Sequence, residues 1–167
     1  MIEDGYAAVT SRRVAATAGV KPQLVHYYFR TMDDLFLALF RRGAEANLTR
    51  QEEALRSDHP LHELWKLSCE PAGTRLMFEF IALANHRKAI RKELAQFAER
   101  FRQRQLEVLA PRLAHAGCER ADGVVALVLG TAISRVLAME ATLEMTVGHP
   151  ETRAWVEAWL DRLEPTP

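Results

Sequence analysis

Three observations predict an all-α fold. Apolar residues recur at three- and four-residue spacing along most of the chain, no run alternates as a half-buried strand would, and Ser, Thr, Gly or Pro stands where one helical pattern gives way to the next. The 167 residues are 49% hydrophobic with 22 basic and 22 acidic side chains. That composition supplies one or two packed cores and excludes a disordered chain.

The first element follows a Thr10 or Ser11 cap, with Val14, Ala15 and Ala18 at helical spacing and Gly19 where the helix stops. After the Gly19-Val20 turn, Pro22 opens a second short helix whose Leu24, Val25, Tyr28 and Phe29 form a buried side. Two short helices joined by a Gly-containing turn make a helix-turn-helix, whose second helix can enter a DNA major groove. Between Asp4 and Asp33 the charged residues are Arg12, Arg13, Lys21 and Arg30. A basic window in a neutral chain attracts phosphate locally without making the whole protein adhere to polyanions.

The stretch MIEDGYAAVTSRRVAATAGVKPQLVHYYFRTMDDLF resembles the DNA-binding end of TetR-family transcriptional regulators: an acidic-Gly-aromatic turn, the first motif helix, an Ala-Gly-Val turn, an aromatic-ending recognition helix and a capped long helix. The resemblance covers roughly residues 3–40; beyond them it is architectural. It implies that Ser11, Arg12 and Arg13 lie near the DNA backbone and that Lys21, Pro22, Gln23 and Leu24 form the leading turn of the recognition helix. It also implies that His26 and Tyr27 reach bases or phosphates, that Tyr28 touches the backbone, and that Val25 and Phe29 hold the motif together. Two features depart from the family's pattern. Met32 stands where members commonly carry a phosphate-binding Lys, and the chain begins at the tail of the helix that normally precedes the motif. Either the sequence starts late or the reader lacks that brace, in which case DNA affinity suffers.

Thr31 and Asp34 have capping-box spacing, and Leu35, Phe36, Leu39 and Phe40 begin a long helix reaching towards Leu55. The resemblance makes it the lever between ligand and DNA. The expected organisation is a helix-turn-helix domain over 1–40, a connecting helix over 41–57 and a helical ligand-binding and dimerisation domain over 58–167. Ser57-Asp58-His59-Pro60 marks the division. Leu61, Leu64, Trp65 and Leu67 begin a helix that Pro71-Ala72-Gly73 interrupts, and Leu76, Met77, Phe80, Ile81 and Ala84 follow on one face as far as Asn85-His86. Residues 88–115 carry the stripe Ile90, Leu94, Phe97, Phe101 and Val108; their basic residues are interleaved with Glu93, Glu99 and Glu107, which reads as a solvated helix face.

Residues 123–145 are apolar around most of the circumference, with small residues that let helices approach closely. A last helix follows Gly148-His149-Pro150, striped with Trp155, Val156, Trp159, Leu160 and Leu163. The resemblance implies pairing of two subunits through these last two helices, with Val128, Ile133, Val136, Trp155, Val156, Trp159, Leu160 and Leu163 as the dimerisation set. A two-fold homodimer sets its recognition helices about one DNA turn, ~34 Å, or a multiple apart and reads a palindrome-like site.

Trp65, Met77, Phe78, Phe97, Phe101 and Met139 are candidates to line a cavity for a small hydrophobic or amphipathic effector, with His86, Arg135 and Glu140 to orient it. Each also reads as core, and Arg135 and Glu140 alternatively pair with another helix. No Gly-rich phosphate loop, zinc-protease pattern or nucleophile elbow occurs, so no enzyme and no cofactor are expected. His59 and His62 lack Cys or acidic partners at ligand spacing, so no metal is expected. The most apolar run, residues 124–133, is too short to cross a bilayer and contains Gly130, and no signal peptide is visible, so no membrane partner is expected. Cys69 and Cys118 read as reduced thiols of a cytoplasmic protein. The expected function is a ligand-responsive transcriptional repressor binding double-stranded DNA; the alternative is a dimeric helical binding protein that has lost DNA binding.

Overall fold

The computed structural model describes residues 1–115, 117 and 120–164, which form eight α-helices after a 3-10 turn at Tyr6–Ala8, with no strand among the described residues. The helices are α1 (Ser11–Ala18), α2 (Pro22–Tyr28), α3 (Met32–Arg56), α4 (Pro60–Ser68), α5 (Pro71–His86), α6 (Lys88–His115), α7 (Arg120–Thr142) and α8 (His149–Leu163). They build two compact units: Met1–Asn47 with Arg75–Ala98, and Leu48–Thr74 with Glu99–Pro167. Helices α3, α5 and α6 each contribute residues to both. Cys118 lies outside the described residues.

Local chemistry sets the boundaries in the first unit. Thr10 Oγ1 accepts from the Arg13 N–H at 3.3 Å, satisfying one orphan donor at the start of α1. Gly19 ends the helix at φ 66°, ψ 28°, a left-handed conformation that costs a side-chain-bearing residue energy even though open space surrounds it. Thr31 and Asp34 close the capping box reciprocally, the Thr31 N–H donating to Asp34 Oδ2 at 2.9 Å and the Asp34 N–H to Thr31 Oγ1 at 3.1 Å. Behind these helices Ala15, Val25, Leu35, Phe36, Phe40, Phe80, Leu83 and Ile90 form one buried cluster. Phe40 meets Phe80 and Phe97 edge-on at 5.3 and 5.7 Å. Met32 packs against this cluster, giving an apolar side chain a use at a position where the family's pattern has Lys.

In the second unit α4 packs against α7 and α8. Its core contains Leu55, Leu61, Leu64, Trp65, Leu109, Leu137, Val156 and Leu160. Gly123 permits a close approach, since a Cβ there would stand 2.6 Å from Leu113 Cδ1. Helix α7 runs unbroken through Gly130, so the expectation that this apolar segment is too short changes: Gly123–Thr142 is long and apolar enough, by length and composition, to cross a membrane. It is two-faced, however. Ala126, Ser134 and Leu137 are buried, whereas Val125, Leu129, Ala132, Val136 and Met139 are exposed at alternating spacings of four and three residues. Arg135 lies on the exposed part, and a charged group at the middle of a bilayer costs about 2.5–3.5 kcal/mol on insertion scales.

Candidate nucleic-acid interface

Helix α2 is anchored by one buried residue, Val25, with Phe29 packed behind it, and everything else on it faces outward. Lys21 is the N-cap in extended conformation at φ −74°, ψ 143°, and Pro22 follows at the first helical position with a φ already suited to the helix. Lys21, Pro22, Gln23 and His26 are exposed, as is Leu24. Tyr27 and Tyr28 are 79% and 69% exposed, their rings edge to face at 5.3 Å. Two phenols held outward at the end of this helix waste apolar burial inside the unit, yet they offer flat surface and hydroxyl donors to a groove or phosphate.

On α1, Ser11 is half-buried and Arg12 and Arg13 are exposed. Arg13 is already engaged: Nη2 meets Asp4 Oδ2 at 2.6 Å and Nη1 donates to the Ala8 carbonyl at 3.3 Å. The pair is solvent-exposed on both sides. Exchanging it for phosphate therefore sacrifices little, about 0–1 kcal/mol for a surface ion pair. The α1–α2 surface thus leaves Lys21, Arg12 and the tyrosines exposed, with Arg13 held by a weak tether.

Within the same unit, residues far along the chain hold the 3-10 turn and α3 on either side of α1–α2. Glu79 of α5 accepts from the Tyr6 N–H at 2.6 Å, Arg87 pairs with Asp33, and Arg41 Nε meets Glu93 Oε1 at 2.8 Å. The hydrogen bond and charge of Glu93 hold the Arg41 guanidinium pKa above its usual range. Sequence spacing gives no signal for these pairs, which join residues 52 or more positions apart.

The effector candidates fall in both units. Met77 and Phe97 pack on the first unit's core, Phe78 is half-buried and His86 exposed. Trp65 is buried in the second unit's core, Phe101 half-buried and Met139 exposed. Glu140 takes the alternative of pairing with another helix: its Oε2 lies 2.8 Å from His149 Nε2 at the start of α8. Arg135 keeps a guanidinium pKa lowered first by desolvation and then by the nearby charge of Arg102. Of the dimerisation set, Val156 and Leu160 are buried in their own unit and Ile133, Trp159 and Leu163 pack on that core. Val128, Val136 and Trp155 are 40%, 46% and 59% exposed. Trp155 and Trp159 stack at 6.0 Å.

Residues 1–39 match the family model described as bacterial regulatory proteins, tetR family. No curated protein matches the chain, and no solved structure does. The matched segment spans the 3-10 turn, α1, α2 and the start of α3. The segment is similar to the N-terminal helix-turn-helix domain of that family, and the match supports a DNA-binding transcriptional regulator.

Proposed function

We propose that the protein is a homodimeric, one-component transcriptional repressor of the cytoplasm that reads a palindrome-like site on double-stranded DNA and leaves it when a small hydrophobic or amphipathic effector binds. Residues 1–40 serve as the reader, 41–57 as the connecting helix and 58–167 as the effector and dimerisation part. The observation that carries this reading is the TetR match over the segment in which α2 turns Lys21, Gln23, His26, Tyr27 and Tyr28 to solvent.

Dimerisation is supported by the exposed seam of α7, residues 125, 129, 132, 136 and 139, whose four-three alternation is that of helices packing side by side. Exposed Trp155 adds the residue type most enriched among interface hot spots. Movement of α5 or α6 would reach the reader through the shared apolar cluster and through Glu79, Arg87 and Glu93, whose polar contacts also tie residues 75–98 to residues 1–47. The effector then acts by differential affinity for two reader arrangements.

The occupied state of Arg13 and the apolar packing of Met32 favour the second reading, a helical dimer that has lost DNA binding. Titration of operator DNA with the purified chain, with and without amphipathic carboxylates, separates the two. Sequence-selective binding that carboxylates weaken supports the repressor; no detectable binding to operator or unrelated DNA at moderate salt supports the alternative.

A further inference from the structure

The first turn of α4 and the last turn of α8 are joined by side chains that the DNA-binding reading does not use. His59 is the N-cap of α4 and gives it no side-chain cap, a role taken instead by Glu164. Glu164 Oε1 accepts from the Leu61 N–H at 2.8 Å and Oε2 from the His62 N–H at 3.3 Å, and the residue is only 8% exposed. Its Oε2 also lies 3.0 Å from His62 Nδ1, while His62 Nε2 lies 3.0 Å from Asp161 Oδ1. The His59 ring stands edge-on to His62 at 5.9 Å. His59, His62 and Glu164 each present a ligand atom, all within 4.8 Å of one another.

With the Nε2 proton donated to Asp161, Nδ1 turns a lone pair towards a carboxylate oxygen. A neutral imidazole can donate to only one of the two carboxylates that lie 3.0 Å from its ring nitrogens, so the other contact needs a cation, either a second proton on the imidazole or a metal ion. We propose that His59, His62 and Glu164 bind a divalent ion of the zinc class, with Asp161 as the carboxylate that orients His62. Bonds of about 2.0–2.2 Å at tetrahedral angles set ligand atoms roughly 3.4 Å apart, so the three atoms need close by little more than ~1 Å. A carboxylate accepting the second ring N–H fixes the tautomer that leaves Nδ1 free to ligate. Glu164 keeps lone pairs for the ion while capping α4, because each carboxylate oxygen carries two. Two imidazoles and one carboxylate leave a net positive charge that Asp161 offsets. The fourth position is left to water. The missing acidic partner of the His59–His62 pair in sequence is therefore supplied by a residue 102 positions away from His62.

The test uses the full chain, free of any tag and stripped with chelator, titrated with Co²⁺ by absorption and with Zn²⁺ by calorimetry. One Co²⁺ per chain with the strong visible bands of tetrahedral coordination is expected, displaced by Zn²⁺ and weakening as pH falls because protons compete for Nδ1. Asp161→Asn, at an exposed position, should weaken Zn²⁺ binding about 10- to 100-fold. His59→Ala should weaken it further, with helical circular dichroism unchanged in both variants. The chain has six histidines. A one-to-one Zn²⁺ affinity that neither variant alters would place the ion elsewhere and overturn the proposal, as would the absence of a tetrahedral Co²⁺ spectrum.

Discussion

Glu79 in the middle of α5 accepts a 2.6 Å hydrogen bond from the backbone N–H of Tyr6, tying the first turn of the chain to a helix more than seventy residues on. Gly5, at φ 75°, brings the backbone alongside, so that a Cβ at this position would stand 3.6 Å from Glu79 Oε2. A hydrogen bond to an ionised carboxylate is worth about 1.5–3 kcal/mol. Glu79→Ala is therefore expected to speed hydrogen exchange at the Tyr6 amide by roughly 10-fold or more, and Glu79→Gln, which retains an acceptor, by less. Unchanged protection in Glu79→Ala would remove this bond from the forces that position the reader.

Lys21→Ala should weaken DNA binding across sequences rather than at one base pair. The plot of log affinity against log salt should become shallower by about one. Fluorescence anisotropy at several salt concentrations measures both quantities, and no change in either would exclude Lys21 as a phosphate contact.

Asp4→Asn should release Arg13 to the DNA backbone. Because the tether is an exposed pair of about 0–1 kcal/mol, DNA affinity should rise no more than about 5-fold. A fall in affinity would show that the pair orients Arg13 usefully.

Much of this architecture was legible because its causes are local. Thr10, Gly19, Pro22 and the Thr31–Asp34 pair act on backbone groups within a few residues, so residue type and spacing place α1, α2 and the start of α3. Pro60, Pro71 and Pro150 likewise stand in the first turns of α4, α5 and α8, where a missing N–H costs nothing. The ties of Glu79 to Tyr6 and Glu164 to His62 were not legible, since periodicity along one helix says which face is apolar and nothing about which distant residue meets it. For the same reason the sequence could not show that α3, α5 and α6 each divide their residues between two compact units. The dimerisation stripe of α8 combined two environments in one period: Val156 and Leu160 turn into their own unit while Trp155 turns out.

Val136→Asp changes an exposed residue in the middle of the α7 seam. If a second copy covers that seam, a central charge should cost at least ~2 kcal/mol, weakening dimerisation about 30-fold, with helical content preserved. Sedimentation at micromolar concentrations should then find monomer where the parent chain is dimeric; an unshifted equilibrium would move the interface off α7.

Glu70 and Arg50 make a two-pronged ion pair, with Arg50 Nη1 2.7 Å from Glu70 Oε2, and that hydrogen bonding holds the Glu70 pKa below its usual value. A carboxylate depressed on folding stabilises above its unfolded pKa, and the gain disappears as pH falls through the folded value. Both side chains are more than one-third exposed, so screening limits the effect to less than about 1 kcal/mol. Glu70→Gln should lower the urea midpoint slightly at pH 7, with the difference closing on acidification and in high salt. A difference that persisted at low pH would point to packing rather than charge.

The most direct test of the central claim is binding of the purified 167-residue chain to the DNA flanking its own gene, with unrelated DNA as control, at low and then raised salt. Tight, sequence-selective binding that weakens steeply with salt is the predicted result. Binding no stronger than to the control DNA at every salt concentration would contradict it.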